Sequence, residues 1–129
     1  MSHIMTIENI EQESYDLSTL RQMCQDMGWE WCENESSYQA YYGKNKCDHV
    51  IRIPGAKYTI GVVKVDGKNK LVWDSFGSGG LSRILGSDAK VLKQAYQVAK
   101  IKVTAKKAGK RFWMKDTDKV GWKRIRIEA

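Results

Sequence analysis

Asp66-Gly67 lies between two runs of strand-forming residues, Tyr58–Val65 and Lys68–Phe76. Both turn residues accept positive φ, and a two-residue turn of that kind matches the right-handed twist of paired strands. The stretch predicts a type I′ hairpin, which forces its two strands antiparallel. A hairpin here replaces the strand–helix–strand crossover that a wound parallel sheet requires, so the chain is not built on such a sheet.

The flanking segments extend this frame. Residues 3–10 read as a strand with His3, Met5 and Ile7 on one face. Asp16 has the chemistry of a helix N-cap, and Leu17, Leu20, Cys24 and Met27 come after it at helical spacing. Gly28 stands where a left-handed cap ends such a helix, and Trp29 can fold back over it. Trp29–Trp31 and Tyr38–Tyr42 read as one hairpin or two edge strands, and His49–Ile53 as a strand closed by Pro54-Gly55. A longer helix is predicted from a cap at Ser87 or Asp88 to about Ala108, with one turn at Leu81–Leu85 before it. It carries an apolar stripe of Leu92, Tyr96, Ala99 and Val103 and a polar one of Lys93, Gln97, Lys100, Thr104 and Lys107. Arg111–Lys115 and Gly121–Ile127 form a last strand pair. The order is β-α-β-β-β-β-α-β-β. The expected class is α+β, a mainly antiparallel sheet with two helices packed on one face.

A chain of 129 residues with 42% apolar content suits one domain, residues 1–129, with a real core. A single proline and the lack of low-complexity tracts argue against wholesale disorder. There is no run of about 18 apolar residues to cross a membrane. The first residues lack the basic-then-apolar pattern of a secretory signal. Three cysteines, Cys24, Cys32 and Cys47, form no C-x-x-C pair. They read as reduced, buried or half-buried thiols in a cytoplasmic setting. Cys47 and His49 are a poor fit to zinc-ligand spacing, so no metal is expected.

Charge is unevenly placed. Residues 1–49 hold three basic and nine acidic side chains, and residues 50–129 hold 19 basic and six acidic, within a net charge of +7. The second part therefore calls for an anionic partner or an acidic protein, or for self-association between acidic and basic faces.

The glycine-rich run Gly77-Ser78-Gly79-Gly80 invites a phosphate-loop reading. It lacks the Gly-Lys-Ser/Thr ending of a Walker loop, and Ser82 stands where a dinucleotide loop needs its last glycine. A flexible joint is expected, the alternative being a loose anion nest assisted by Ser78, Ser82 and Arg83. His3 and His49 are the only imidazoles, and no nucleophile, acid–base or metal-ligand set has supportive spacing. Asp48-His49 and the Asp116/Asp118 pair read as structural. No enzymatic activity and no cofactor are expected.

Several segments occur in a familiar order: MSHI at the start, a helix ending in MGWEW, then AYYGKN, DHVIRIPG, YTIGVV, KLVWD, LKQAYQVAK and AKKAGKRFW. Together they resemble the domain of unknown function family 1257, which includes a conserved hypothetical protein of chloroplast and cyanobacterial genomes. The resemblance spans nearly the whole chain and implies its fold and length, and a diverged bacterial or phage member. Ile4 and Gln97 depart from the family pattern. The resemblance carries no activity and no catalytic residues.

Binding is the better reading. The C-terminal 40 residues hold 13 basic and three acidic side chains, with Phe112, Trp113 and Trp122 among them. Lysines neutralise phosphates, while aromatic rings and guanidinium planes stack on bases. In the last strand Trp122, Arg124 and Arg126 alternate away from Lys123, Ile125 and Ile127. The candidate ligand residues are Trp122, Arg124, Arg126, Trp113, Arg111, Lys100, Lys107 and Arg83. The first reading is a module for nucleic acid or a nucleotide. The alternative is a protein–protein adaptor or inhibitor, attractive if the chain is phage-encoded and acts on a host protein or defence system.

Overall fold

The computed structural model of the chain describes residues 4–7, 14–109, 111–116 and 123–128. Strand β1 (Ile4–Ile7) and helix α1 (Leu17–Met27) precede six strands: β2 (Glu30–Cys32), β3 (Ser37–Ala40), β4 (Gly43–Lys46), β5 (His49–Arg52), β6 (Ile60–Val65) and β7 (Lys68–Asp74). The short helix α2 (Leu81–Leu85), the long helix α3 (Lys90–Lys107) and strands β8 (Arg111–Asp116) and β9 (Lys123–Glu128) complete the order. The class is α+β, as expected. Strands β1-β7-β6-β5-β2 form one sheet in that order, and every pairing in it is antiparallel.

The Asp66-Gly67 hairpin forms as its residues dictate. Asp66 has φ +53 and Gly67 φ +77, and Val65 pairs with Lys68 across a two-residue turn. Helix α1 starts and stops where its caps place it. Asp16 accepts the Thr19 N–H, Gly28 takes φ +72, and the Trp29 N–H returns to the Cys24 carbonyl at 2.9 Å.

The two faces of the sheet are covered differently. On one face Ile51, Ile53, Ile60, Val62, Leu71 and Trp73 pack with Leu20, Met23 and Cys24 of α1 and Leu92, Tyr96 and Ala99 of α3. Each fully buried Leu or Ile there contributes about 1.5–3 kcal/mol. On the other face the β3–β4 hairpin lies against Val50 and Val72 through Tyr38 and Ala40. The Tyr38 ring crosses Gly61 so closely that a Cβ at Gly61 would overlap it.

Three expectations need correction. The region between α1 and α2 holds six strands, because the Tyr38–Tyr42 segment turns at Tyr41-Tyr42 and returns as β4. The sequence of β4 is Gly-Lys-Asn-Lys, which carries no strand signal of its own. The glycine run is a packed turn and not a free joint. Gly77–Gly79 form a 3₁₀ turn, and Gly79 is buried where a Cβ would overlap the Tyr58 ring. The Gly79 carbonyl accepts the Lys57 N–H at 2.8 Å, and Tyr58 Oη lies 3.1 Å from Ser78 Oγ. Helix α3 has no side-chain cap at Ser87 or Asp88. Asp88 and Ala89 take left-handed φ of +55 and +54, and the Asp88 carboxylate instead accepts from Lys93 at 2.8 Å.

Candidate nucleic-acid interface

Helix α3 ends with Lys106 and Lys107 in its last turn, and Gly109 at φ +67 turns the chain out of the helix. Strands β8 and β9 then form a separate two-stranded antiparallel ribbon. Its register pairs Arg111 with Glu128, Trp113 with Arg126 and Lys115 with Arg124. The alternate pairs are Phe112 with Ile127, Met114 with Ile125 and Asp116 with Lys123. Directly paired residues of an antiparallel ribbon share a face, and the face alternates along each strand. One ribbon face therefore holds Arg111, Trp113, Lys115, Arg124 and Arg126 together with Glu128. The opposite face holds Phe112, Met114, Ile125 and Ile127 with one charge of each sign.

Four of the sequence-derived candidates, Arg111, Trp113, Arg124 and Arg126, thus come to one face. Lys115 joins them; alternation along β8 alone places it with Arg111 and Trp113, and the register is needed only to bring Arg124 and Arg126 beside them. The alternation of β9 by itself says nothing about β8. Trp122 lies outside the described residues. Lys107 is exposed at the end of α3 from which the ribbon departs. Lys100 sits half-buried further back along α3. Arg83 is exposed on α2, before α3 begins. Arg83 belongs to α2, which packs on α3, and is no part of the β8–β9 ribbon.

The residues considered for catalysis are committed elsewhere. His49 Nδ1 accepts the Asn34 N–H at 3.0 Å, and its ring stacks on Trp31 with centroids 5.3 Å apart. Asp48 accepts the Lys64 N–H at 2.7 Å, so the two neighbours serve different backbone groups and do not form a dyad. Among the described residues no group of three or more His, Cys, Asp or Glu is placed to hold a metal. All three thiols are free. Burial, reinforced by nearby Cys32, pushes the Cys24 thiol up to about 12. Burial with Asp48 and Glu35 raises that of Cys47 to about 11. Such thiols stay protonated and are poor nucleophiles near neutral pH.

An open cleft of about 680 Å³ lies between the end of α1 and the β5–β6 connection, lined among others by Trp29, Glu30, Arg52 and Lys57. Its Arg52 is already tied to Glu35 at 2.9 Å. Comparison with family models, with curated proteins and with solved structures finds no match to this chain.

Proposed function

We propose that this chain is a small binding module for nucleic acid or a nucleotide, with the β8–β9 ribbon as its contact surface. The single observation behind this reading is the register, which gathers four cationic residues and Trp113 on one ribbon face. Cations alternating with an aromatic residue suit a chain of phosphates and bases. Lysine and arginine release counterions from the phosphates, and a ring offers each base a face to stack on. Lys107 extends the positive surface toward α3.

The test is fluorescence anisotropy with a short labelled oligothymidylate over a series of salt concentrations. Wild type should bind at low salt and weaken steeply as salt rises. Arg124→Ala with Arg126→Ala should weaken binding and flatten the slope of log K against log salt by up to about two. Unchanged affinity and slope in the double variant would overturn this reading. An adaptor would behave differently. It would ignore oligonucleotide and nucleotides and recover one defined protein, in near-equal amount, from a host lysate.

A further inference from the structure

The tip of the β3–β4 hairpin is built from two neighbouring tyrosines. Tyr41 is 50% exposed and Tyr42 73% exposed. Their rings meet edge to face with centroids 4.7 Å apart, and the Tyr41 ring rests on Phe76 at 4.6 Å. A buried carboxylate fixes this arrangement. Asp74, 2% exposed, accepts the Tyr41 N–H through Oδ2 at 2.9 Å and the Phe76 N–H through Oδ1 at 2.9 Å. The hairpin behind the tip is anchored as well, since Gln39 exchanges hydrogen bonds with Thr59. The rings are therefore held in place before anything binds, so little ordering is left to oppose binding.

The strand leaving this tip carries Lys44 and Lys46, both exposed. They pair with Gln39 and Ser37, on the hairpin face opposite the buried Tyr38 and Ala40. Flat rings flanked by cations fit a ligand that is itself flat-ringed and anionic. A duplex hides its base faces, whereas an unpaired strand presents them.

We propose that the Tyr41–Tyr42 tip is a stacking site for unpaired bases of single-stranded nucleic acid, with Lys44 and Lys46 contacting the adjoining phosphates. It shares its ligand class with the function proposed above but uses different residues. The tip belongs to the β3–β4 hairpin, and the ribbon to β8 and β9 after α3, with no residue in common. The two sites can therefore be altered separately.

The experiment uses the intact chain and labelled oligothymidylate. Tyr42→Ala is the informative variant, because Tyr41→Ala would also strip the contact with Phe76. It should lower affinity about tenfold or more at fixed salt, the usual scale for one lost base stack. It should leave the salt slope unchanged, since no phosphate contact is removed. Tyr42→Trp should retain binding. Ring resonances of Tyr41 and Tyr42 should move upfield when oligonucleotide is added. If Tyr42→Ala binds like wild type while Arg124→Ala with Arg126→Ala does not, the tip proposal fails and the ribbon reading stands. If the arginine variant binds like wild type while Tyr42→Ala does not, the ribbon reading fails and the tip proposal stands. If wild type binds no oligonucleotide at low salt, both fail.

Discussion

Gly79 separates two meanings that glycine carries in a sequence. Gly80 and Gly86 take φ of +84 and +77, backbone values that side chains rarely allow. Gly79 does not, and is required instead because the Tyr58 ring fills the space of its side chain. The run GSGG advertises freedom, but its third residue is a packing contact with a partner well back in the chain. Gly79→Ala should therefore destabilise by about 1–3 kcal/mol, the scale of overpacking, even though alanine is a better helix former. Urea unfolding followed by circular dichroism measures it. A midpoint equal to wild type would mean that the Tyr58 ring yields without cost. Tyr58→Ala combined with Gly79→Ala should show less than the sum of the two single effects, because the clash is then gone. Nothing local to residue 79 announces this role. Asp74 is similar, since its grip on Tyr41 and Phe76 depends on how β3 crosses the sheet.

The two main helices begin by different means. At α1 the Asp16 carboxylate accepts the Thr19 N–H at 2.9 Å and the Ser18 and Thr19 hydroxyls at 2.8 and 2.9 Å. Partial burial pushes the Asp16 carboxyl upward. The hydrogen bonds from Ser18 and Thr19, aided by the charge of Lys107, outweigh it and hold the group below its usual range. The sign comes from linkage. A carboxyl bound less readily by protons in the folded state contributes stability above its unfolded value, and loses it as pH falls through the lower folded value. Asp16→Ala should cost about 1 kcal/mol at pH 7, typical of a lost N-cap. The gap to wild type should narrow below about pH 4. Chemical unfolding at both pH values checks it, and a gap that persists in acid would place the cap's value elsewhere. Local chemistry of this kind made α1, the Asp66-Gly67 turn and the stop at Gly109 legible in the sequence. Helix α3 starts without a side-chain cap, and β4 carries no strand signal. Both are set by packing: α3 by its buried Leu92, Tyr96 and Ala99, and the β3–β4 hairpin by Tyr38 and Ala40 against Val50 and Val72. The ribbon face was half legible, because alternation along β9 could be read but its register with β8 could not.

At the scale of the whole molecule, acidic side chains of the first part of the chain are tied to cations of the second, Glu35 to Arg52 and Asp26 to Lys102. Every acidic residue from position 14 to 49 has a partner within the fold. Asp16 caps α1, and Asp48 holds the Lys64 N–H. Asp26 meets Lys102 at 2.9 Å. Glu33 pairs with Arg21, and Glu35 and Glu30 with Arg52. Meanwhile Lys44, Lys46, Lys57, Arg83, Lys90, Lys106 and Lys107 are exposed. Each ion pair cancels one cation along with one carboxylate, so the positive excess of the chain persists. Glu8, Glu11 and Glu13 lie outside the described residues, yet with them included the chain still carries +7. Two copies consequently repel at low ionic strength, where screening is weakest. The positive excess favours the proposed capture of a polyanion over self-association through complementary faces. Sedimentation velocity should find a monomer at both low and high salt, and a complex with oligonucleotide that dissociates as salt rises. A dimer that forms at low salt and dissolves at high salt would mean that the acidic segment before residue 14 meets the cations of a second copy. The positive surface would then have a partner of its own kind.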